Sequence, residues 1–324
     1  MWPARAVNSA IWHAAAAAVG VPIEEPVWGH FEIGGGEEPV EIYLHVTSLD
    51  DERALGLALD KAKSQRLLAE AGVAVPEQIP FVLDDLEPAL EAIAGGGSWV
   101  VKPAGTSSGQ GATPGVQSRD DLLRSAVRAS RSGAELLLER RAEGEEYRLL
   151  FLDGELLGAV RRQAPAVTGD GRSAVIDLVR SENDRRLAAE GEAGLRVITI
   201  DLDALLELGH HGQSPRSVPP AGQEVAVKAS RSQGGAGDAE TVAPAELSAE
   251  LVAEARSAAA ALGLRLAGID LITPDVSRSL AAAGGGIIEV NGTPGLHYHY
   301  LVRDPENADR VAIPILQRLL AERG

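Results

Sequence analysis

Lys102 ends a short apolar run, Trp99-Val100-Val101, and opens the loop Pro103-Ala104-Gly105-Thr106-Ser107-Ser108-Gly109-Gln110-Gly111. Glycines let a backbone wrap closely around an anion, and exposed amides and hydroxyls donate to phosphate oxygens. A flexible surface loop has the same composition. The segment also lacks the Gly-Lys-Ser/Thr ending of a Walker loop and the spacing of a dinucleotide fingerprint. The lysine at its root favours a phosphate clamp, because an apolar strand there delivers a compact ammonium to the base of a glycine-rich loop.

A second constellation lies near the C-terminus, in Ala267-Gly268-Ile269-Asp270-Leu271-Ile272 and Ile287-Ile288-Glu289-Val290-Asn291. Strand residues alternate faces, so Glu289 and Asn291 share one side. Antiparallel pairing with Asp270 opposite them would gather three oxygen ligands, a set suited to Mg²⁺. Solvent-facing polar groups at strand ends are the alternative, although burying acids beside Ile and Val without a cation is costly. A third stretch, Leu136-Leu137-Leu138-Glu139 followed by a connector and Glu146, reads either as an adenosine pocket or as a charged hairpin turn. In the pocket, one carboxylate takes the adenine amino group and the other the ribose hydroxyls. Arg161, Arg162, Arg180, Arg185 and Arg186 are candidate carboxylate clamps or a basic helix face. His297, Tyr298 and His299 follow the proposed metal strand, where an imidazole could orient a carboxyl group or accept a proton. His210 and His211 form a weaker pair of the same kind.

Strands and helices must alternate to position these groups. Hydrophobic spacing and turn signals predict helices over residues 9–19, 49–72, 84–94, 119–130, 173–179, 202–208, 245–262 and 307–321. Strands are expected at 41–46, 99–102, 135–139, 147–152, 155–161, 224–229, 265–272 and 286–291, with a linker containing Pro76 and Pro80. The pattern is α/β in the mixed α+β sense.

The 324 residues carry 30 basic and 47 acidic side chains, a net charge of −17, which argues against broad nucleic-acid or anionic-membrane surfaces. A small cationic pocket remains compatible with that total. Only four of the basic residues are lysines, namely Lys61, Lys63, Lys102 and Lys228, which singles them out. The absence of cysteine removes disulfides, thiolate catalysis and thiolate metal sites. With no signal-peptide or membrane-span pattern, a cytoplasmic location is expected.

The order of Asp60-Lys61, the strand ending at Lys102 with its glycine loop, Glu139 with Glu146, and Asp270/Glu289/Asn291 resembles the ATP-grasp superfamily, and most closely the ATP-grasp portion of cyanophycin synthetase. The supporting stretches are KAKSQRLLAEAGVAVP (61–76), EEYRLL (145–150), GDGRS (169–173), GIDLITPDVSRS (268–279) and IEVNGTPG (288–295). The resemblance implies an ATP-grasp fold, with nucleotide held between two α+β subdomains. Residues 1–60 would form a reduced N-terminal region, 61–138 a central subdomain with the lid loop, and 139–324 a C-terminal subdomain with the metal site. It further implies ATP-dependent joining of a carboxylate to an amine, an amino acid or peptide, through an acyl phosphate. A kinase-like phosphotransferase and a non-catalytic ATP-binding module are the alternatives, and self-association stays open.

Carried over residue by residue, the resemblance gives Lys61 and Lys102 to ATP phosphates, with the loop of Ser107, Ser108, Gly109 and Gly111 closing over them. It gives Glu139 and the backbone near Ala142 to adenine, Glu146 to ribose, and Asp270, Glu289 and Asn291 to Mg²⁺, or Mn²⁺ in its place. Lys228 and Arg231 are expected to stabilise phosphate or oxyanion charge, and His297 to act at the reacting carboxyl. Gln65 stands where the family has a second lysine, so no phosphate role is assigned to it.

Overall fold

The structure, a computed structural model, describes residues 4–36, 38–105, 111–188, 197–228 and 239–323. An N-terminal unit comprises α1 (Ala4–Val19), β1 (Ile23–Val27), β2 (His30–Ile33) and β3 (Val40–Tyr43). Two short helices follow, α2 (Glu52–Leu59) and α3 (Lys61–Glu70). Next come β4 (Gln78–Val82), α4 (Glu87–Ala94), β5 (Trp99–Pro103), β6 (Thr113–Val116), α5 (Arg119–Ser130) and β7 (Glu135–Arg140). The chain continues through β8 (Glu145–Leu152), β9 (Glu155–Arg162), β10 (Ala166–Thr168), α6 (Val175–Ala188), α7 (Leu202–His210), β11 (Glu224–Ala226) and β12 (Ala239–Thr241). It ends with α8 (Ala249–Ala261), β13 (Leu266–Thr273), α9 (Leu280–Ala283), β14 (Gly286–Asn291) and α10 (Ala312–Ala321).

Two antiparallel sheets dominate, a four-stranded one in the order β4-β7-β5-β6 and a five-stranded one in the order β12-β9-β8-β13-β14. The near-continuous apolar run of β8 reflects burial on both faces. Leu149 and Phe151 join the core under α8, while Leu150 and Leu152 pack beneath the N-terminal unit with Trp12, Phe31 and Ile315. Further along that second face stand Glu146 and Arg148, beyond the N-terminal cover. In the smaller sheet Trp99, Val101 and Leu138 enter a core with α4 and α5, which by alternation turns Val100, Lys102 and Glu139 to the opposite side.

Two sequence expectations are revised by the structure. Residues 78–82, read as linker, form β4; it is an edge strand, where the missing N–H of Pro80 leaves no ladder bond unmade on the open side. The helix expected across 49–72 breaks at Asp60, whose extended backbone ends α2 and whose carboxylate caps α3 by accepting from the Lys63 amide at 3.0 Å. Strand β7 runs to Arg140, and α3 packs on the larger sheet.

The β7–β8 connection depends on Gly144, whose φ of +112° and close approach to the Thr273 backbone admit no side chain. A Cβ there would lie 2.2 Å from the Thr273 carbonyl carbon. Gly144→Ala is expected to cost about 1–3 kcal/mol from backbone conformation alone, with the clash in addition. Urea denaturation of the purified variant measures the loss.

Candidate active site

Between the sheets lies a cavity of about 1070 Å³. The smaller sheet contributes Val100, Lys102 and Glu139; the larger contributes Glu146, Arg148, Arg162, Asp270, Glu289 and Asn291. Six basic and six acidic side chains line it, so the pocket is electrically balanced rather than cationic as the sequence led us to expect. Balance on a chain of charge −17 is still a local excess of positive charge.

The register of β13 and β14 is antiparallel, with Asp270 opposite Glu289 and Gly268 opposite Asn291, so the three oxygen-bearing side chains share one patch. An irregularity follows Asp270, where pairing shifts so that Leu271 faces Ile287 and Ile288 is skipped. Gln65 fixes this segment by donating from Nε2 to the carbonyls of Ile287 (3.2 Å) and Ile288 (3.0 Å). The break at Asp60 places Lys61 at the start of α3, with its Nζ 3.4 Å from Glu289 Oε1.

Asp270 is 3% exposed and bound by arginine. Arg148 donates to both carboxylate oxygens, from Nε to Oδ1 and from Nη2 to Oδ2 (2.6 Å), while Arg162 Nη1 lies 3.6 Å from Oδ1. Burial alone would raise the Asp270 carboxyl, but the charge and hydrogen bonds of Arg148 outweigh it and hold the group below the usual carboxylate range. Arg162 also pairs with Glu146 at 2.8 Å. Both guanidinium groups lie over the Tyr298 ring, 5.3 Å and 4.7 Å from its centroid. Gly268 makes room for this arrangement, since a Cβ there would sit 3.2 Å from Arg148 Nη1 and 2.8 Å from Pro294 Cβ.

At the other end Lys102 Nζ donates to Glu139 Oε2 at 2.6 Å, and Gln78 Nε2 donates to the same oxygen at 2.5 Å, both carboxylate and ammonium being buried. Glu139 is therefore on the cavity wall, but its carboxylate holds Lys102. Ala142 lies on the wall beside it, as does His297, whose ring packs 4.3 Å from that of Tyr298. The site thus unites Lys61, Lys102, Glu139, Ala142, Glu146 and His297 with the three oxygen ligands.

Other expected residues lie elsewhere. Lys228 is 1% exposed, its ammonium 2.8 Å from Asp201 and 2.9 Å from the Thr199 hydroxyl, and it is not part of the cavity wall. Gly111 has a left-handed backbone and packs on Pro103, also off the wall. Ser107, Ser108, Gly109 and Arg231 lie outside the described residues. His299 is buried near Asp309, away from the cavity, whereas His210 and His211 do reach the rim at the end of α7. Of the five arginines expected as carboxylate clamps, only Arg162 enters the cavity; Arg161 pairs with Glu240, Arg180 with Asp177, and Arg185 and Arg186 with Glu182. Sequence reading missed Arg148, which sits in the quoted EEYRLL stretch one alternation from Glu146, and His45, for which no local signal exists.

The ligand set fits a magnesium nucleotide. Two carboxylates and an amide on adjoining strands suit an ion that keeps room for phosphate and water. The Asn291 amide nitrogen donates to Asp270 and to the Gly268 carbonyl, which leaves its oxygen as the atom available to a cation. Among the described residues, no three His, Cys, Asp or Glu side chains form a further metal cluster, and no helix is long and apolar enough to cross a membrane.

No protein-family model matches the chain. It is 32% identical over 260 residues to cyanophycin synthetase of Nostoc sp., an alignment covering 79% of this chain and 29% of that protein. The glutathione biosynthesis bifunctional protein GshAB of Pasteurella multocida is 28% identical over 261 residues, 79% of this chain and 34% of its own. The chain thus spans about a third of the length of the curated relatives it matches. A crystal structure of the bifunctional glutathione synthetase from Pasteurella multocida superposes on 98% of this chain and 44% of its own, with a TM-score of 0.62 at 26% identity. The D-alanine–D-alanine ligase of Bacillus anthracis shares the fold, with a TM-score of 0.51 over 85% of this chain and 72% of its own at 17% identity.

Proposed function

We propose, the chain being a member of the ATP-grasp superfamily similar to cyanophycin synthetase, that it is an ATP-dependent ligase joining a small-molecule carboxylate to the amine of an amino acid or peptide. The observation that carries this reading is the shared patch of Asp270, Glu289 and Asn291, with Lys61 beside Glu289 and Lys102 on the other sheet of the same cavity. Metal ligands and phosphate-directed ammonium groups gathered around one cavity are what transfer of a phosphoryl group requires, because its catalysis is mainly positioning and electrostatic stabilisation.

In this reading residues 61–138 and 139–324 form the two subdomains that hold ATP, and residues 1–60 the reduced N-terminal region. Asp270, Glu289 and Asn291 hold Mg²⁺, which supplies Lewis-acid neutralisation of phosphate charge. Lys61, already beside Glu289, and Lys102, at the root of the glycine loop, hold the phosphates. The backbone near Ala142 and the Glu139 carboxylate receive adenine, and Glu146 the ribose. The substrate carboxylate attacks the γ-phosphorus, giving an acyl phosphate and ADP. The amine then displaces phosphate. His297, beside Tyr298 and the two arginines, orients the reacting carboxyl group. Lys228 and Arg231 are assigned to stabilising phosphate or oxyanion charge.

Expected in solution is ADP release that requires both a carboxylate and an amine, with ¹⁸O from a labelled carboxylate recovered in inorganic phosphate. ADP release at full rate without amine favours a phosphotransferase. No turnover with any pair, alongside ATP binding, favours a non-catalytic module.

A further inference from the structure

Among the described residues, the unit of α1 and β1–β3, with the turn that follows β3, reaches the cavity through one imidazole. After β3 the chain makes a two-residue turn centred on Leu44 and His45, closed by reciprocal hydrogen bonds between Tyr43 and Val46 (3.1 and 2.8 Å). Leu44 adopts a φ of +57°, a left-handed conformation disfavoured for a branched side chain and worth about 1–3 kcal/mol of strain. Three contacts hold it there: the Trp12 indole donates to the Leu44 carbonyl at 2.7 Å, the Leu44 amide donates to the Gly29 carbonyl at 2.7 Å, and the Leu44 side chain packs against Gly29. Trp12 is itself fully buried. The product of this construction is His45 on the cavity wall, with a buried Nδ1 that has no hydrogen-bond partner.

We propose that His45 accepts the proton of the incoming ammonium group, making the amine nucleophilic. The inference rests on the ligase reading above. An ammonium has no lone pair to attack with. Transfer of one proton to the imidazole frees the pair, which forms the C–N bond to the acyl carbon. The C–O bond to the phosphoryl group then breaks, its electrons leave with phosphate, and the second amine proton goes with that phosphate. Nδ1 is out of reach of the cavity and without a partner, whereas Nε2 is not among the buried atoms of this half-buried ring, so Nε2 is the nitrogen that takes the proton. Burial, reinforced by the positive charge of Arg148, holds the imidazole below its ordinary value and therefore neutral at physiological pH, the form a base requires. Of the other cavity histidines, His297 packs its ring on Tyr298, while His211 approaches Glu207 at 3.2 Å.

The test uses hydroxylamine, which is uncharged at neutral pH and needs no base. The full chain with ATP and Mg²⁺ is offered the N-acetyl forms of the twenty common amino acids as carboxylates. Hydroxamate formed with hydroxylamine is compared with amide formed from the free amino acids. For His45→Gln the expected result is a fall of about 100-fold in amide, with hydroxamate within about 2-fold of the parent chain. Retained hydroxamate shows that the variant is folded and still forms the acyl phosphate. His297→Gln is expected to lower both products together. Unchanged amide formation by His45→Gln, equal loss of both products, or an amine-selective loss in His297→Gln instead would overturn the assignment. Absence of hydroxamate from the parent chain itself would overturn the ligase reading and this role with it.

Discussion

Glu289→Ala is expected to lower carboxylate- and amine-dependent ADP release by about 100- to 1000-fold, the effect of removing one preorganised electrostatic partner from a phosphoryl-transfer site. Glu289 is positioned from two directions. The β13–β14 register places it opposite Asp270, and Lys61 lies 3.4 Å from its Oε1. The side chain is only partly buried, so its truncation should leave the fold intact and act on nucleotide handling. The Mg²⁺ concentration for half-maximal ADP release should also rise, which separates a lost ligand from a general loss of enzyme. A variant that turns over like the parent at limiting Mg²⁺ would show that the ion is held elsewhere.

Arg148→Met should produce the largest loss of stability, about 3–5 kcal/mol, because it leaves the buried Asp270 carboxylate without its bidentate partner. Arg162, 3.6 Å away and shared with Glu146, compensates only in part. The pH dependence follows from the depressed carboxyl of Asp270. A group whose pKa is lower folded than unfolded stabilises above its unfolded value, and that contribution is lost as pH falls through the folded value. The parent therefore loses the Asp270 contribution on acidification, whereas the variant has none to lose. The gap between them should be widest near neutrality and narrow as pH falls below about 4, the ordinary carboxylate value, toward the depressed folded one. Urea denaturation across that range measures it, and adding Asp270→Asn to Arg148→Met should recover much of the loss. A gap that is constant with pH would assign the destabilisation to lost packing against Tyr298.

Much of this site could be read from one-dimensional patterns. The alternation of Glu289 and Asn291, with Asp270 nineteen residues before Glu289 on a second apolar strand, would bring them together if the strands paired antiparallel, which is the register found. Lys102 could be located because an apolar strand led to it. Pro80 and Asp60 were harder. A proline in a strand is tolerated only at an edge, and edge position is a property of the sheet rather than of the segment. The break at Asp60 competes with a leucine spacing that continues across it, and is decided by the cap it makes and by how α3 seats on β14 through Gln65.

The residue types and their order determined the chemistry: ammonium groups for phosphate, oxygen ligands for a divalent ion, and the strands that carry them, since period-two alternation fixes which side chains share a face. Tertiary structure decided which charges neutralise one another. Glu139 holds Lys102, Arg148 holds Asp270, and Lys228 is drawn to Asp201 rather than to the cavity. It also brought His45 to the site from a turn with no motif of its own. Such pairings join residues far apart in the chain, and their strength depends on burial and distance, two quantities that exist only once the sheets have packed.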